Sequence, residues 1–191
     1  MKRKNLKKNI LLHICCAPDS TTAVENLKEK GYEVIGYYYN PNMDSPEEDI
    51  KRFNDTVKVS KEMNFELIGD YGDIKDRDEW MNEVKNLGNL DEGGTRCFYC
   101  FRFRLRKTAV KAKEIGTDLF TTTLTVSPHK NASLINCMGE EIARENGIEY
   151  FNANFKKNNG FKKSLEYSRK FKLYRQNYCG CIFSRRNGLS E

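Results

Sequence analysis

The chain has 191 residues, 38% hydrophobic and 31% charged, which is long enough for one full core and too polar for a protein built into a membrane. Lys and Arg number 33 against 27 Asp and Glu, a formal charge of +6 that permits a polyanionic partner without requiring one. Met1-Lys2-Arg3-Lys4 followed by the short run Ile10–Cys16 does not make a secretory leader. The expectation is a cytoplasmic protein without a membrane partner, whose seven cysteines serve as metal ligands or redox groups rather than as a disulfide frame.

Asn9 to Cys15 reads as a first buried strand. Asp19 and Ser20 are good N-cap types, and a helix from about Asp19 to Lys30 places Ala23, Val24 and Leu27 inward before Gly31 stops it. Tyr32–Tyr39 is a second strand, broken by Asn40-Pro41-Asn42. Ser45-Pro46-Glu47-Glu48 has the form of a capping box, and the helix after it carries Ile50, Phe53, Val57 and Met63. Phe65–Ile68 is a short third strand and Asp70–Asp78 is turn-like. A helix near Asp78–Leu87 would bury Trp80, Val84 and Leu87. Arg96–Ile115 is a longer helix with Phe101, Leu105, Ala109 and Ala112 inward. Leu119–Thr123 is a fourth strand, Asn131–Asn146 a helix with Leu134, Ile135, Met138 and Ile142 inward, and Ile148–Phe151 a fifth strand.

Strands alternating with helices predict an α/β fold, a parallel sheet with helices on both faces, in which the fourth strand lies beside the first. The chain reads as one domain over 1–191. Its last part, 152–191, is a basic, cysteine-bearing C-terminal appendage, helical from about Lys162, that folds back if its cysteines are to join the others.

Three cysteine pairs stand out: Cys15-Cys16, Cys97-Phe98-Tyr99-Cys100 and Cys179-Gly180-Cys181. Residues three apart on a helix share a face, so Cys97 and Cys100 can grip one metal or cluster. Gly180 permits a tight turn that aims Cys179 and Cys181 the same way. The first pair ends a strand, where open α/β sheets bind ligands. A structural zinc site needs four ligands, and the three pairs leave two thiols over. Cys137, inside a helix beside Met138, reads as a buried small hydrophobe. His13 reads as a satisfied core residue. His129 and Lys130 follow the fourth strand, so their loop would border the site. Basic and aromatic residues interleave in Phe101-Arg102-Phe103-Arg104-Leu105-Arg106 and again from Lys156 to Arg175, a mixture that suits RNA phosphates and splayed bases.

Taken together, Leu12-His13-Ile14-Cys15-Cys16-Ala17-Pro18-Asp19, Arg96 to Leu105, Thr122 to Asn131 and Tyr178-Cys179-Gly180-Cys181 resemble the QueH-type epoxyqueuosine reductases over nearly the whole chain. The resemblance implies a fold like the adenine-nucleotide α-hydrolase (HUP) class. It implies the two-electron reduction of epoxyqueuosine in tRNA to queuosine, with an external electron donor. It also implies a 4Fe–4S cluster and an additional iron ion, held by Cys15, Cys16, Cys97, Cys100, Cys179, Cys181 and Asp19. The count agrees: six thiolates exceed the corners of one cubane, and Asp19 is a hard oxygen ligand beside them. Asp19 is thus the candidate catalytic residue, and His129, Lys130, Arg102 and Arg104 are the candidate substrate contacts. Two other readings compete. A PP-loop-type tRNA sulfur-transfer enzyme would keep Asp19-Ser20, but the phosphate-cradling glycines are missing from Cys16-Ala17-Pro18. A zinc-stabilised RNA-binding module would use four of the cysteines and no catalysis.

Overall fold

A computed structural model describes residues 8–69, 74–88 and 90–185. Five strands, β1 (Asn9–Ile14), β2 (Glu33–Tyr38), β3 (Glu66–Ile68), β4 (Leu119–Thr122) and β5 (Glu149–Tyr150), form a sheet in the order β3-β2-β1-β4-β5. Every neighbouring pair is parallel, and β1 lies between β2 and β4 as expected from the alternation. The order runs outward in both directions from β1, so the crevice between the ends of β1 and β4 is the switch point of the sheet.

Among the described residues six α-helices connect and cover the strands: α1 (Ala17–Glu29), α2 (Pro46–Glu62), α3 (Ile74–Val84), α4 (Thr95–Glu114), α5 (Ala132–Asn146) and α6 (Gly160–Lys170). Side chains alternate along a strand, and β1 shows the consequence. Ile10, Leu12 and Ile14 pack with Val24, Leu27, Val59 and Phe171, on the face covered by α1, α2 and α6. Leu11 packs with Trp80, Phe103, Leu105, Phe120 and Ile135, on the face covered by α3, α4 and α5. Helices therefore lie on both faces, and full burial of each such side chain stabilises the fold by about 1.5–3 kcal/mol. Beyond β5 the chain returns: α6 packs on α1, Lys163 pairs with Glu25 at 2.8 Å, and Tyr174 N donates to Asp55 of α2 at 2.5 Å.

Several expectations are met closely. Ser45 caps α2 by accepting from Glu48 N at 3.2 Å. Gly147 ends α5 with φ of 67°, the left-handed cap that glycine allows. Phe101, Leu105, Ala109 and Ala112 of α4 are all buried.

Other expectations need correction. α1 begins at Ala17, with Cys16 as its N-cap, so Asp19 sits inside the first turn and is not the cap. Pro18 explains the shift, because proline fits the first turn of a helix, where no N–H is needed. The residues of α2 that are buried are Glu48, Asp49, Arg52, Thr56, Val59 and Ser60, so its polar stripe faces inward. Cys137 is exposed, not buried, since α5 turns Ile135, Met138 and Ile142 to the core. Leu134 of α5 is likewise 40% exposed. α3 starts earlier than the spacing predicts, and a 3-10 turn over Lys85–Leu87 takes the place of its last turn. Part of the turn expected at Asp70–Asp78 lies outside the described residues. No helix among the described residues is long and apolar enough to cross a membrane.

Candidate metal centre

The strand-to-helix corner after β1 is two residues long, and both are cysteine. Cys16 takes an extended backbone (φ −163°, ψ 157°) and hands the chain to α1. Cys15 Sγ lies 3.9 Å from Cys16 Sγ and 3.8 Å from Asp19 Oδ2. The ligand atoms of Cys15, Cys16 and Asp19 all fall within 4.8 Å of one another, and all three residues are buried. Thr123, just past β4, fixes the corner from the other side of the switch point. Its hydroxyl accepts from Cys15 N at 3.2 Å and lies 3.3 Å from Cys15 Sγ. Below it, His13 is fully buried, its Nε2 donating to the Tyr39 carbonyl at 3.1 Å and its Nδ1 accepting from Thr122 at 2.8 Å. Burial, and then the charge of Arg104, lower its pKa to about 3, so this histidine is neutral scaffolding, as the sequence indicates.

The electrostatics of the corner are those of a site with too many acids. Cys15 is drawn well below the ordinary thiol range by a hydrogen bond from Cys16, helped by the cations Lys130 and Arg104. Cys16 is pushed well above it by the same bond and by burial. Asp19 rises from 3.8 to about 7, first through burial and then through the negative charge of Cys15. Three groups this close cannot all be anions until a cation joins them, which is the behaviour of a metal-ligand set.

One cysteine of each other pair, Cys97 and Cys179, lines the same cavity as Cys15 and Asp19, and among the described residues Cys15, Cys16 and Asp19 alone form a group of three with ligand atoms within 4.8 Å of one another. α4 starts after Gly94, and Cys97 and Cys100 lie in its opening turns, buried, with Gly93 N donating to Cys97 Sγ at 3.2 Å. Burial raises Cys100, while Arg104 one turn on opposes the rise. The turn Cys179-Gly180-Cys181 needs its glycine twice over. Gly180 has φ of 101°, and a Cβ there would lie 2.8 Å from Met43 Sδ and 2.9 Å from the Arg52 guanidinium. Its carbonyl accepts from Asp44 N at 2.8 Å, and Arg52 Nη1 donates to the Cys179 carbonyl at 3.0 Å. The pair shares a proton as the first pair does: hydrogen bonding between the two thiols raises Cys179 and lowers Cys181 to about 6.

Cys15, Asp19, Cys97 and Cys179 line one cavity of about 670 Å³, with His129 and Lys130 also on its wall. Burial works against the charge of Lys130, but Cys15, Cys179 and Asp19 outweigh it and hold the ammonium protonated. Arg104 lines the same cavity and is 1% exposed. Arg102 does not line it. It points to α5, where it pairs with Glu141 and Glu145 at 3.0 Å each. The exposed Cys137 is also absent from the cavity lining.

Two contributors escaped the sequence reading, Arg52 and Asn40. Arg52 is buried with Glu48 at 2.7 Å and holds both the Tyr178 and Cys179 carbonyls. Asn40 bridges the Ile14 carbonyl and Arg104. The signal for Arg52 was present: Asp49, Arg52 and Thr56 form a polar stripe at helical spacing, which an ordinary surface helix would turn to water.

Fold and site together define a parallel α/β protein whose sheet carries, at its switch point, a buried cysteine cluster able to bind metal. The model of the family "Epoxyqueuosine reductase QueH" matches residues 10–187. Curated relatives bearing that name include a Streptococcus pyogenes protein, 36% identical over 187 residues, which cover 96% of this chain and 72% of that protein. A Thermotoga maritima protein is 36% identical over 177 residues, 92% of this chain and 89% of the relative, and an Acinetobacter baylyi protein is 35% identical over 180 residues, 93% and 81%. The chain therefore belongs to the epoxyqueuosine reductase QueH family, a family of oxidoreductases.

Proposed function

We propose that this chain reduces epoxyqueuosine in tRNA to queuosine, at a thiolate-held iron centre in the cavity between β1 and β4. The observation that carries the reading is that one cysteine from each of three distant pairs, Cys15, Cys97 and Cys179, lines the same cavity as Asp19 at the switch point of the sheet. Cys15, Cys16, Cys97, Cys100, Cys179, Cys181 and Asp19 would hold a 4Fe–4S cluster and an additional iron, which supply electrons and a Lewis-acidic position when bound. The donor set fits: soft sulfurs in excess of four, and one carboxylate with a high proton affinity.

The reaction breaks both C–O bonds of the epoxide and forms a C=C bond. Two electrons, from an external donor, and two protons are consumed, and the oxygen leaves as water. Asp19, whose carboxyl pKa burial holds near neutrality in the metal-free protein, would exchange a proton with the departing oxygen. Lys130 stays protonated beside it and would stabilise negative charge that develops on that oxygen. His129 shares the wall and would contact the substrate.

The tRNA backbone is assigned to the C-terminal segment. Lys157, Lys162, Arg169, Lys170 and Lys172 are exposed and, among the described residues, form no ion pair with an acidic side chain. Three cations of α4 are committed elsewhere: Arg102 to two glutamates, Arg106 to Glu83 and Lys107 to Asp76 and Glu79. In this reading 152–191 is the basic appendage that carries the last cysteine pair to the centre. The HUP-like ancestry of the sheet and a cytoplasmic location, where tRNA is met, complete the proposal. Turnover measured on epoxyqueuosine-containing tRNA at rising salt tests it. Turnover should fall steeply as phosphate contacts weaken. Equal turnover of the free nucleoside, or no salt dependence, would overturn tRNA as the working substrate.

A further inference from the structure

Arg104 is an unusual residue in its setting. It is 1% exposed, deep in the wall of the cavity that Cys15, Cys97 and Cys179 line. Its Nη1 donates to Asn40 Oδ1 at 3.3 Å, while its Nε and Nη2 are buried without a hydrogen-bond partner among the described residues. The Phe101 ring lies 5.6 Å from its Cζ. The negative groups that act on it most are all sulfurs, Cys100, Cys179, Cys15 and Cys181 in that order. A buried guanidinium without a counter-ion is destabilising, so a fold keeps one where an anion answers it. Here the sulfurs within reach come from all three cysteine pairs, and Cys15 and Cys181 are the two drawn toward the thiolate.

We infer that Arg104 is the fixed counter-charge of the thiolate centre, a positioning residue whose unpartnered N–H groups serve sulfur rather than tRNA phosphate. The inference rests on the metal-centre reading above. A positive charge held beside the centre favours its more negative, reduced form, so Arg104 sets the midpoint potential. It also explains the place of Asn40. A neutral acceptor orients the guanidinium without cancelling its charge, which an aspartate would do.

The test is a potentiometric titration of the anaerobically reconstituted protein, followed by its visible and electron paramagnetic resonance spectra, with iron and sulfide counted in each sample. Arg104→Met should lower the midpoint, changing the reduced-to-oxidised ratio at a fixed poise at least tenfold, about 59 mV for a one-electron couple. Arg104→Lys, which keeps the charge, should stay within about threefold of the unaltered protein. Asn40→Asp should lower the midpoint with Arg104 still in place. A core residue valued only for packing would change iron retention in all three variants without moving the midpoint. An unchanged midpoint in Arg104→Met with full iron overturns the inference. If Arg104→Met holds no iron, Arg104→Lys decides: retained iron at the original midpoint supports it, and iron lost as completely as in the Met variant overturns it. Unaltered protein that binds no iron or sulfide overturns the metal-centre reading itself, and this inference with it.

Discussion

Asp19→Asn separates the chemistry of the site from its folding, and the two should move in opposite directions. In the metal-free protein Asp19 has its pKa raised from 3.8 to about 7, mainly by burial. The folded state therefore holds this proton more tightly than the unfolded chain does. Above pH 4 the unfolded chain releases it first, so the folded state loses stability as pH rises, and the loss is complete a little above pH 7. About three units at about 1.4 kcal/mol each make roughly 4 kcal/mol. Asn removes that penalty. It also gives up the interaction of a carboxylate with the first turn of α1, about 0.3–1 kcal/mol, which leaves a net gain of about 3 kcal/mol. Cys16 is the N-cap, so the cap itself is untouched. At about 2–4 °C per kcal/mol for a chain of this size, metal-free Asp19→Asn should melt roughly 10 °C higher at pH 8 and show almost no difference near pH 4. The loaded variant should carry one iron fewer and turn over at least about a hundredfold more slowly, as for loss of a metal ligand or positioned acid. Calorimetry across pH 4–8 and single-turnover assays read the two halves. Equal melting at pH 8, or a difference constant across that range, would refute the electrostatic argument.

Cys137→Ala should keep full iron and full turnover, because this thiol is exposed and absent from the cavity lining; iron analysis and activity check it. Arg52→Gln removes one partner of a buried pair and frees the Cys179 carbonyl, so denaturant titration should show a loss of about 3–5 kcal/mol, with weaker iron retention. Replacing Lys170 and Lys172 with Ala should reduce the slope of log affinity for tRNA against log salt by about 1.4–1.8, measured by filter binding, while Lys111→Ala, a cation already paired with Glu114, should leave it nearly unchanged.

The sheet and its helices were legible because their signals are local. Ser45 and Glu48 announce the start of α2, Gly147 the end of α5, and the run Ile10–Ile14 has no polar residue apart from His13. The approach of Cys15, Cys97 and Cys179 to one cavity was legible from their pairing and from the place where strands end. The first turn of α1 was misread because Asp19 and Ser20 look like caps, whereas Pro18 lets the helix begin earlier. The inner face of α2 was misread because apolar spacing was followed past Asp49, Arg52 and Thr56. These polar residues turn inward since each has a buried partner: Tyr38 donates to Asp49 at 2.6 Å, and Arg52 holds the chain around Cys179. The partner of Arg52, 127 residues away, leaves no trace in local spacing. Arg104 shows the same limit, since alternation with aromatics gave it a surface role and only its packing places it among sulfurs.

The central claim is that this chain reduces an epoxide at a centre its own thiols hold. The direct measurement is anaerobic incubation of reconstituted protein, a chemical reductant and epoxyqueuosine-containing tRNA, with digestion and mass spectrometry of the nucleosides. The account predicts loss of one oxygen atom from the modified nucleoside, in proportion to protein that carries more than four irons per chain, and no conversion by protein in which Cys15 and Cys16 are both Ala. Conversion that persists without those thiols, or a colourless zinc protein that converts tRNA equally well, would contradict it.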